Sequence, residues 1–76
     1  MKKQRLNQDI TVDPRVRFGK PVIAGTRVPI DLIVGKIASG MTLDVVAKEY
    51  DLTHRQIRAA LHYAAEIVAS EEVSFV

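Results

Sequence analysis

The polar side chains best suited to chemistry lie at the start of the longest predicted helix. The run Thr53-His54-Arg55-Gln56 has Thr at the N-cap and Gln three residues later, which is the pattern of a capping box. The imidazole of His54, the guanidinium of Arg55 and the amide of Gln56 are the kinds of donor that contact phosphates and read guanine and adenine edges. The sequence therefore predicts nucleic-acid binding by Thr53, His54, Arg55, Gln56 and Arg58.

Catalysis and metal binding find little support in the residue types. The chain has no cysteine, so it has neither a thiolate nucleophile nor a Cys-based zinc site. His54 and His62 are separated by about 12 Å of helical rise, too far to share an ion. The glycines form neither the G-x-G-x-x-G nor the G-x-x-x-x-G-K phosphate loop. We expect no enzyme activity, no metal and no cofactor.

The candidate residues belong to a short helix, a tight turn and a longer helix within residues 43–69. Ala47 is small enough for the second helix to cross closely, and Asp51 stands where the turn usually needs a left-handed residue. This arrangement is typical of a helix-turn-helix that reads DNA. An ordinary αα-hairpin with a polar face has the same pattern, and the acids Asp44, Glu49 and Asp51 disfavour tight phosphate contact there.

Helical periodicity begins at Pro29 and predicts three helices. The first has apolar residues at i, i+3, i+4, i+7 and i+8 from Ile30 and stops at Gly40, and the second is capped by Thr42. In the third helix the solvent-facing stripe is Arg55, Arg58 and His62. Its predicted buried stripe is Ile57, Ala60, Leu61, Ala64 and Ile67 or Val68.

Residues 1–27 lack this period and form a β arm. Ile10–Val12 and Val22–Ile23 are strand candidates that are marginal by themselves, so they must pack on the helices or pair across a dimer. The fold class is mainly α, with a three-helix helix-turn-helix core behind a short N-terminal β arm. The single domain divides into arm (1–27), core (28–70) and tail (71–76), with Val73–Val76 alternating like a strand.

Charge is divided unevenly along the chain. The 76 residues have a net charge of +2, but residues 1–30 hold seven basic and two acidic residues, whereas residues 31–76 hold four basic and seven acidic ones. A basic arm on an acidic body suits a polyanion or an acidic partner surface, although solvation alone also explains such faces. Lys2, Lys3 and Arg5 are therefore further predicted nucleic-acid contacts.

Composition limits the class of protein. With 47% hydrophobic and 26% charged residues, the chain is not intrinsically disordered. No run reaches 18 apolar residues, and polar residues follow the basic start, so we expect neither a membrane span nor a signal peptide. The lack of cysteine fits a cytoplasmic protein. A chain this short buries roughly 60% of its unfolded surface, which favours a homodimer.

The run Gly19-Lys20-Pro21-Val22-Ile23-Ala24-Gly25-Thr26-Arg27-Val28-Pro29 is the most distinctive segment. Gly19 and Gly25 permit positive φ, and Pro21 and Pro29 fix the chain on either side of a strand. Thr26 is placed to cap the turn, and Arg27 to bridge the arm to carbonyls or carboxylates at a helix end. We favour this structural role over the alternative, an anion site at Gly25-Thr26-Arg27.

With Ile10–Pro14, Ser39–Thr42, Tyr50–Thr53 and Ile57–Ala64, this run resembles the family catalogued as domain of unknown function 433. The resemblance covers Ile10 to Ala65. It implies a small bacterial or archaeal protein with a homeodomain-like trihelical core, usually a dimer. Members are often encoded beside a PIN-like ribonuclease and are taken to be its antitoxin. The family often has Pro after the Tyr where this chain has Asp51.

These observations predict an antitoxin-type DNA-binding protein that neutralises a PIN-like toxin and represses its own operon. It would bind double-stranded DNA as a homodimer whose interface includes the β arm or the tail. Alternatively, the tail stays out of the dimer interface and binds the toxin. The alternative is a protein-interaction or dimerisation module of the same fold that does not bind DNA. The acidic balance of residues 31–76 favours this alternative.

Overall fold

Three helices make up about half of the structure, a computed structural model that describes residues 4–71. Helix α1 spans Ile30–Ala38, α2 spans Leu43–Tyr50 and α3 spans His54–Ser70. Both α1 and α2 pack against α3, so α3 holds the helices together. The predicted contacts Lys2 and Lys3 and the predicted tail strand 73–76 lie outside the described residues.

The N-terminal arm folds back on itself as a three-stranded antiparallel sheet in the order β1-β2-β3. Its strands are β1 (Gln4–Arg5), β2 (Ile10–Val12) and β3 (Pro21–Ile23). Gln4 pairs with Val12, and Ile10 pairs with Ile23. The strands therefore pair within one chain, and of the two expected alternatives it is packing on the helices, not pairing across a dimer, that the structure shows. The mainly α fold with a short β arm is confirmed.

One apolar core joins the arm to the helices. Ile10 from β2 and Ile23 from β3 are fully buried, and each packs in the same cluster as the helix residues. The buried apolar members of this cluster are Ile10, Ile23, Ile30, Ile33, Val46, Leu52, Ile57 and Ala60. The sheet thus gains from helix packing the stability that such short strands lack alone.

The helix boundaries follow the predicted caps. Thr42 Oγ1 accepts a hydrogen bond from the Val45 amide at 3.2 Å, and Gly40 has a φ of +105° just beyond α1. Asp51 ends α2 in the left-handed conformation, with a φ of +55° and a ψ of +51°. The Leu52 amide then donates to the Ala47 carbonyl at 2.9 Å, which turns Leu52 into the core. The sequence prediction for this turn is confirmed.

The last turns of α3 differ from the prediction. The buried stripe is expected to include Ile67 or Val68, but these residues are 46% and 67% exposed. The reason is length: α3 has 17 residues, about 25 Å, whereas α1 has nine and α2 has eight. The last turns of α3 are therefore only partly covered by its shorter neighbours. None of the helices within residues 4–71 is long and apolar enough to cross a bilayer.

Candidate nucleic-acid interface

Two of the predicted contact residues form the cap of α3. The Thr53 amide donates to Gln56 Oε1 at 2.8 Å, and the Gln56 amide donates to Thr53 Oγ1 at 3.1 Å. The capping box is confirmed, and its side chains satisfy backbone groups at the helix start. Thr53 and Gln56 thus fix the position of the neighbouring donors, and the Gln56 side-chain oxygen is already in use.

The next two predicted contacts are paired with carboxylates. His54 Nε2 lies 2.7 Å from Asp44 Oδ1 on α2, and Arg55 Nη1 lies 2.8 Å from Asp9 Oδ1 in the loop between β1 and β2. These pairs connect the start of α3 to α2 and to the sheet. The His54–Asp44 pair is exposed, and in the second pair Arg55 is exposed while Asp9 is partly buried, so solvent screening keeps each contribution to about 1 kcal/mol. They also place two acidic groups beside the predicted phosphate contacts.

Arg58 is the cation of this surface that remains available. Its side chain is exposed and makes no hydrogen bond or ion pair with any residue from 4 to 71. One helical turn further, His62 Nε2 lies 3.2 Å from Glu66 Oε1. Arg55, Arg58 and His62 are all exposed, as the predicted solvent-facing stripe requires. Arg5 is exposed on β1, in the sheet that Asp9 ties to Arg55.

The distinctive run from Gly19 to Pro29 builds the connection between β3 and α1. Gly19 and Gly25 have φ values of +82° and +79°. Thr26 Oγ1 donates to the Ile23 carbonyl at 2.7 Å and accepts from the Val28 amide at 3.0 Å. Pro29 is buried and stands at the N-cap of α1. These contacts favour the structural interpretation of the run over an anion site.

Two charged residues at the ends of this connection also interact. Lys20 Nζ lies 2.9 Å from Asp31 Oδ2 in the first turn of α1. The hydrogen bond from Lys20 lowers the pKa of the Asp31 carboxyl. Arg27 does not make the predicted bridge to a helix end within residues 4–71. Instead its backbone carbonyl accepts from Arg17 Nε at 3.3 Å, and its side chain is exposed.

The sequence interpretation missed a basic and aromatic surface next to this run. Pro14, Arg15, Arg17, Phe18 and Arg27 line a shallow depression of about 350 Å³, which we call the Phe18 patch. The residue types were visible in the sequence, since Phe18 follows Arg15 and Arg17 closely, but Arg27 joins them only through the fold.

A second unpredicted feature is an apolar groove between α1, β3 and the end of α3. Its volume is about 490 Å³, and Lys20 and Asp31 stand at its edge. The apolar groove is otherwise lined by Pro21, Ile30, Val34, Gly35, Tyr63, Ala64, Ile67 and Val68. Gly35 leaves its surface open, because a Cβ there would have no atom within 4 Å. No three His, Asp or Glu side chains within residues 4–71 are grouped closely enough to hold a metal ion.

Comparison with known proteins defines the family. Residues 10–64 match the model of the family described as "Protein of unknown function (DUF433)", and the chain belongs to this family. The resemblance noted from the sequence is thereby confirmed.

The relatives are considerably longer than this chain. The chain is 36% identical over 53 residues to "Putative antitoxin VapB45" of Mycobacterium tuberculosis, a match that covers 70% of this chain and 22% of that protein. It is also similar to the crystal structure of Rv2018 from Mycobacterium tuberculosis, with a TM-score of 0.63 and 36% identity. That match covers 68% of this chain and 24% of the other. The chain thus spans less than a quarter of the length of either relative.

Proposed function

We propose that the protein is a non-enzymatic, antitoxin-type DNA-binding protein. It acts as a homodimer, neutralises a PIN-like ribonuclease by direct contact and represses its own operon. The observation that carries the antitoxin assignment is the 36% identity, over 70% of the chain, to a protein named as an antitoxin. The PIN-like nature of the toxin rests on what the family resemblance implies.

The DNA-binding part rests on the arrangement of α2, the turn and α3. A short helix, a left-handed residue at Asp51 and a capping box at Thr53 are the local features of a homeodomain-like helix-turn-helix. In that motif the second helix enters the major groove with its first turns facing the bases. The exposed stripe of Arg55, Arg58 and His62 supplies donors on that side of α3.

One observation favours a second function, an interaction module that does not bind DNA. Asp44 and Asp9 hold His54 and Arg55 at 2.7 and 2.8 Å. Phosphate contact by these residues would require both pairs to open or to accept a phosphate beside a carboxylate. Arg58 would then carry most of the attraction, and affinity for duplex DNA would be modest.

The homodimer is proposed to form through the apolar groove. Because β1, β2 and β3 pair within the chain, the arm no longer requires a partner to complete its sheet. The end of α3 leaves apolar surface for one, because Ile67 and Val68 are 46% and 67% exposed beside the groove. The groove edge is neutral, since Lys20 and Asp31 pair with each other, so it suits a second copy of the same surface more than a charged partner.

The proposed function is tested in two parts. Co-expression with the adjacent reading frame should suppress the ribonuclease activity of that product, and the two proteins should co-purify. Affinity for a duplex from the flanking operator should fall with salt at a log–log slope near −0.9 per phosphate contacted. If the protein neutralises the toxin but does not prefer the operator sequence over other duplexes, the second function, an interaction module that does not bind DNA, is the correct one. Failure of both parts would contradict the antitoxin assignment.

A further inference from the structure

Phe18 is exposed in a way that packing does not explain. Its side chain is 102% exposed, whereas the other exposed large apolar side chains of residues 4–71 are between 44% and 67% exposed. An aromatic ring gains most from burial or stacking, so full exposure loses that gain. The ring is therefore held at the tip of its turn, away from the core.

The backbone keeps the ring in this place at a conformational cost. Arg17 and Phe18 both have left-handed backbone, with φ values of +52° and +56°, and Gly19 follows at +82°. A side chain other than Gly makes that conformation unfavourable. The turn is nevertheless closed by hydrogen bonds from the Gly19 amide to the Val16 carbonyl and from the Lys20 amide to the Arg17 carbonyl, both at 3.1 Å. Strain of this kind is concentrated at binding sites.

Three arginines line the same depression as Phe18. Arg15 donates through Nε and Nη2 to Asp13 at 3.2 and 3.3 Å, and this hydrogen bond raises the pKa of Arg15, which stays charged. Arg17 donates through Nε to the Arg27 carbonyl, which leaves its terminal nitrogens for another acceptor. The Arg27 side chain has no hydrogen bond or ion pair with residues 4–71. Because the three arginines of the Phe18 patch face only the one carboxylate of Asp13, the patch has an excess of two positive charges.

This combination matches the chemistry of unpaired nucleotides. An exposed aromatic ring stacks on the face of a base, and neighbouring arginines contact the phosphates on either side. A duplex offers its phosphates but hides the faces of its bases within the stack, so it can use the arginines and not Phe18. We propose that the Phe18 patch binds single-stranded nucleic acid, with Phe18 as the stacking residue and Arg17 and Arg27 as phosphate contacts.

The patch is separate in sequence and chemistry from the start of α3. Duplex binding is assigned to Arg58 and its neighbours on α3, whereas the Phe18 patch belongs to the connection between β2 and α1. The two surfaces therefore respond to different substitutions. An experiment can therefore detect the loss of single-strand binding while duplex binding persists, or the reverse. The proposal for the Phe18 patch does not depend on the antitoxin assignment.

The test measures fluorescence anisotropy of labelled, unstructured 12-nucleotide RNA and DNA strands and of the matching duplex, with the full chain. Phe18→Ala should weaken single-strand binding by about 5- to 150-fold, the range for loss of one base–aromatic stack. Phe18→Trp keeps an aromatic ring at this position and should therefore retain single-strand binding. The matched control is Val45→Ala, which truncates an exposed apolar residue on α2 and should leave the affinity unchanged. A preference between RNA and DNA shows whether the 2′-hydroxyl is read.

The arginines are tested through salt dependence. Arg27→Gln should reduce the magnitude of the log–log salt slope for single strands by about 0.7, the value for one lost phosphate contact. Lys48→Gln, which removes an exposed cation on α2, should leave that slope unchanged. Circular dichroism checks that each variant remains folded. Equal affinity of Phe18→Ala and the original chain for single strands would overturn the proposal. Polyglutamate gives a second test. If the chain binds polyglutamate tightly, and Phe18→Ala weakens that binding as much as it weakens single-strand binding, the patch recognises acidic protein segments and the proposal is overturned.

Discussion

The two ends of α3 have opposite relationships with the rest of the chain. At its start, Ile57 and Ala60 are fully buried, and three of the exposed polar side chains are held by a cap or a carboxylate. At its end, residues 65–70 are all exposed, including the apolar Ile67 and Val68. The first half is thus stabilised by contacts within the chain, whereas the second half leaves apolar surface exposed. A single helix can serve both folding and association when it is longer than its neighbours.

The largest expected effect of this difference is on stability. Ile57→Ala removes a fully buried side chain and should lower the free energy of unfolding by about 2–5 kcal/mol. Ile67→Ala makes the same type of truncation at the exposed end, and should cost less than about 1 kcal/mol when the protein is dilute enough to be monomeric. Urea unfolding of the two variants gives the comparison. Equal losses would show that the end of α3 is packed as firmly as its start.

A charge in the apolar groove should act on association instead. Ile67→Asp should lower the dimer association constant by about 100-fold, because a carboxylate without a partner is costly to bury between two protomers. Sedimentation equilibrium measures this change. Val45→Asp is the matched control, since Val45 is similarly exposed but lies on α2 away from the groove lining. A dimer that persists in Ile67→Asp would remove the groove from the interface, and an original chain that is monomeric at high micromolar concentration would exclude the dimer.

The hydroxyl groups at the two ends of α3 should differ by a smaller amount. Thr53→Ala removes the N-cap acceptor that binds the Gln56 amide, and should destabilise the protein by about 1 kcal/mol. Ser70 Oγ donates to the Ile67 carbonyl at the exposed end, so Ser70→Ala should stay within about 0.5 kcal/mol of the original chain. Thermal unfolding resolves the two cases. A larger loss from Ser70→Ala would contradict the proposed division of α3.

The helices were predictable from the sequence because their signals are local. The caps at Thr42 and Thr53 and the left-handed Asp51 each depend on residues within one turn. The first strand, Gln4–Arg5, has no apolar alternation and forms only because β2 lies beside it, so no local pattern indicated it. Periodicity placed Ile67 on the correct side of α3, but it carries no information on whether a neighbouring helix is long enough to cover that position.

The candidate site shows the same limit more clearly. Residue type correctly selected the solvent-facing stripe of α3, since Arg55, Arg58 and His62 are exposed. The partners of that surface could not be predicted, because Asp9 reaches Arg55 through the fold of the arm. The left-handed backbone at Arg17 and Phe18 also depends on the closure of its own turn, and residue preferences disfavour it. Turns with left-handed backbone at non-glycine residues are difficult to predict for this reason.

The comparison of Arg58→Ala with Arg55→Ala on the operator duplex tests the proposed DNA-reading function most directly. Both variants keep the buried face of α3, so both should fold. We expect Arg58→Ala to weaken operator affinity by about 1–3 kcal/mol, the value for loss of a base-reading or phosphate contact. Arg55→Ala should cost less, because Asp9 already holds that guanidinium in the free protein. Unchanged operator affinity in both variants would contradict the assignment of α3 as the reading helix.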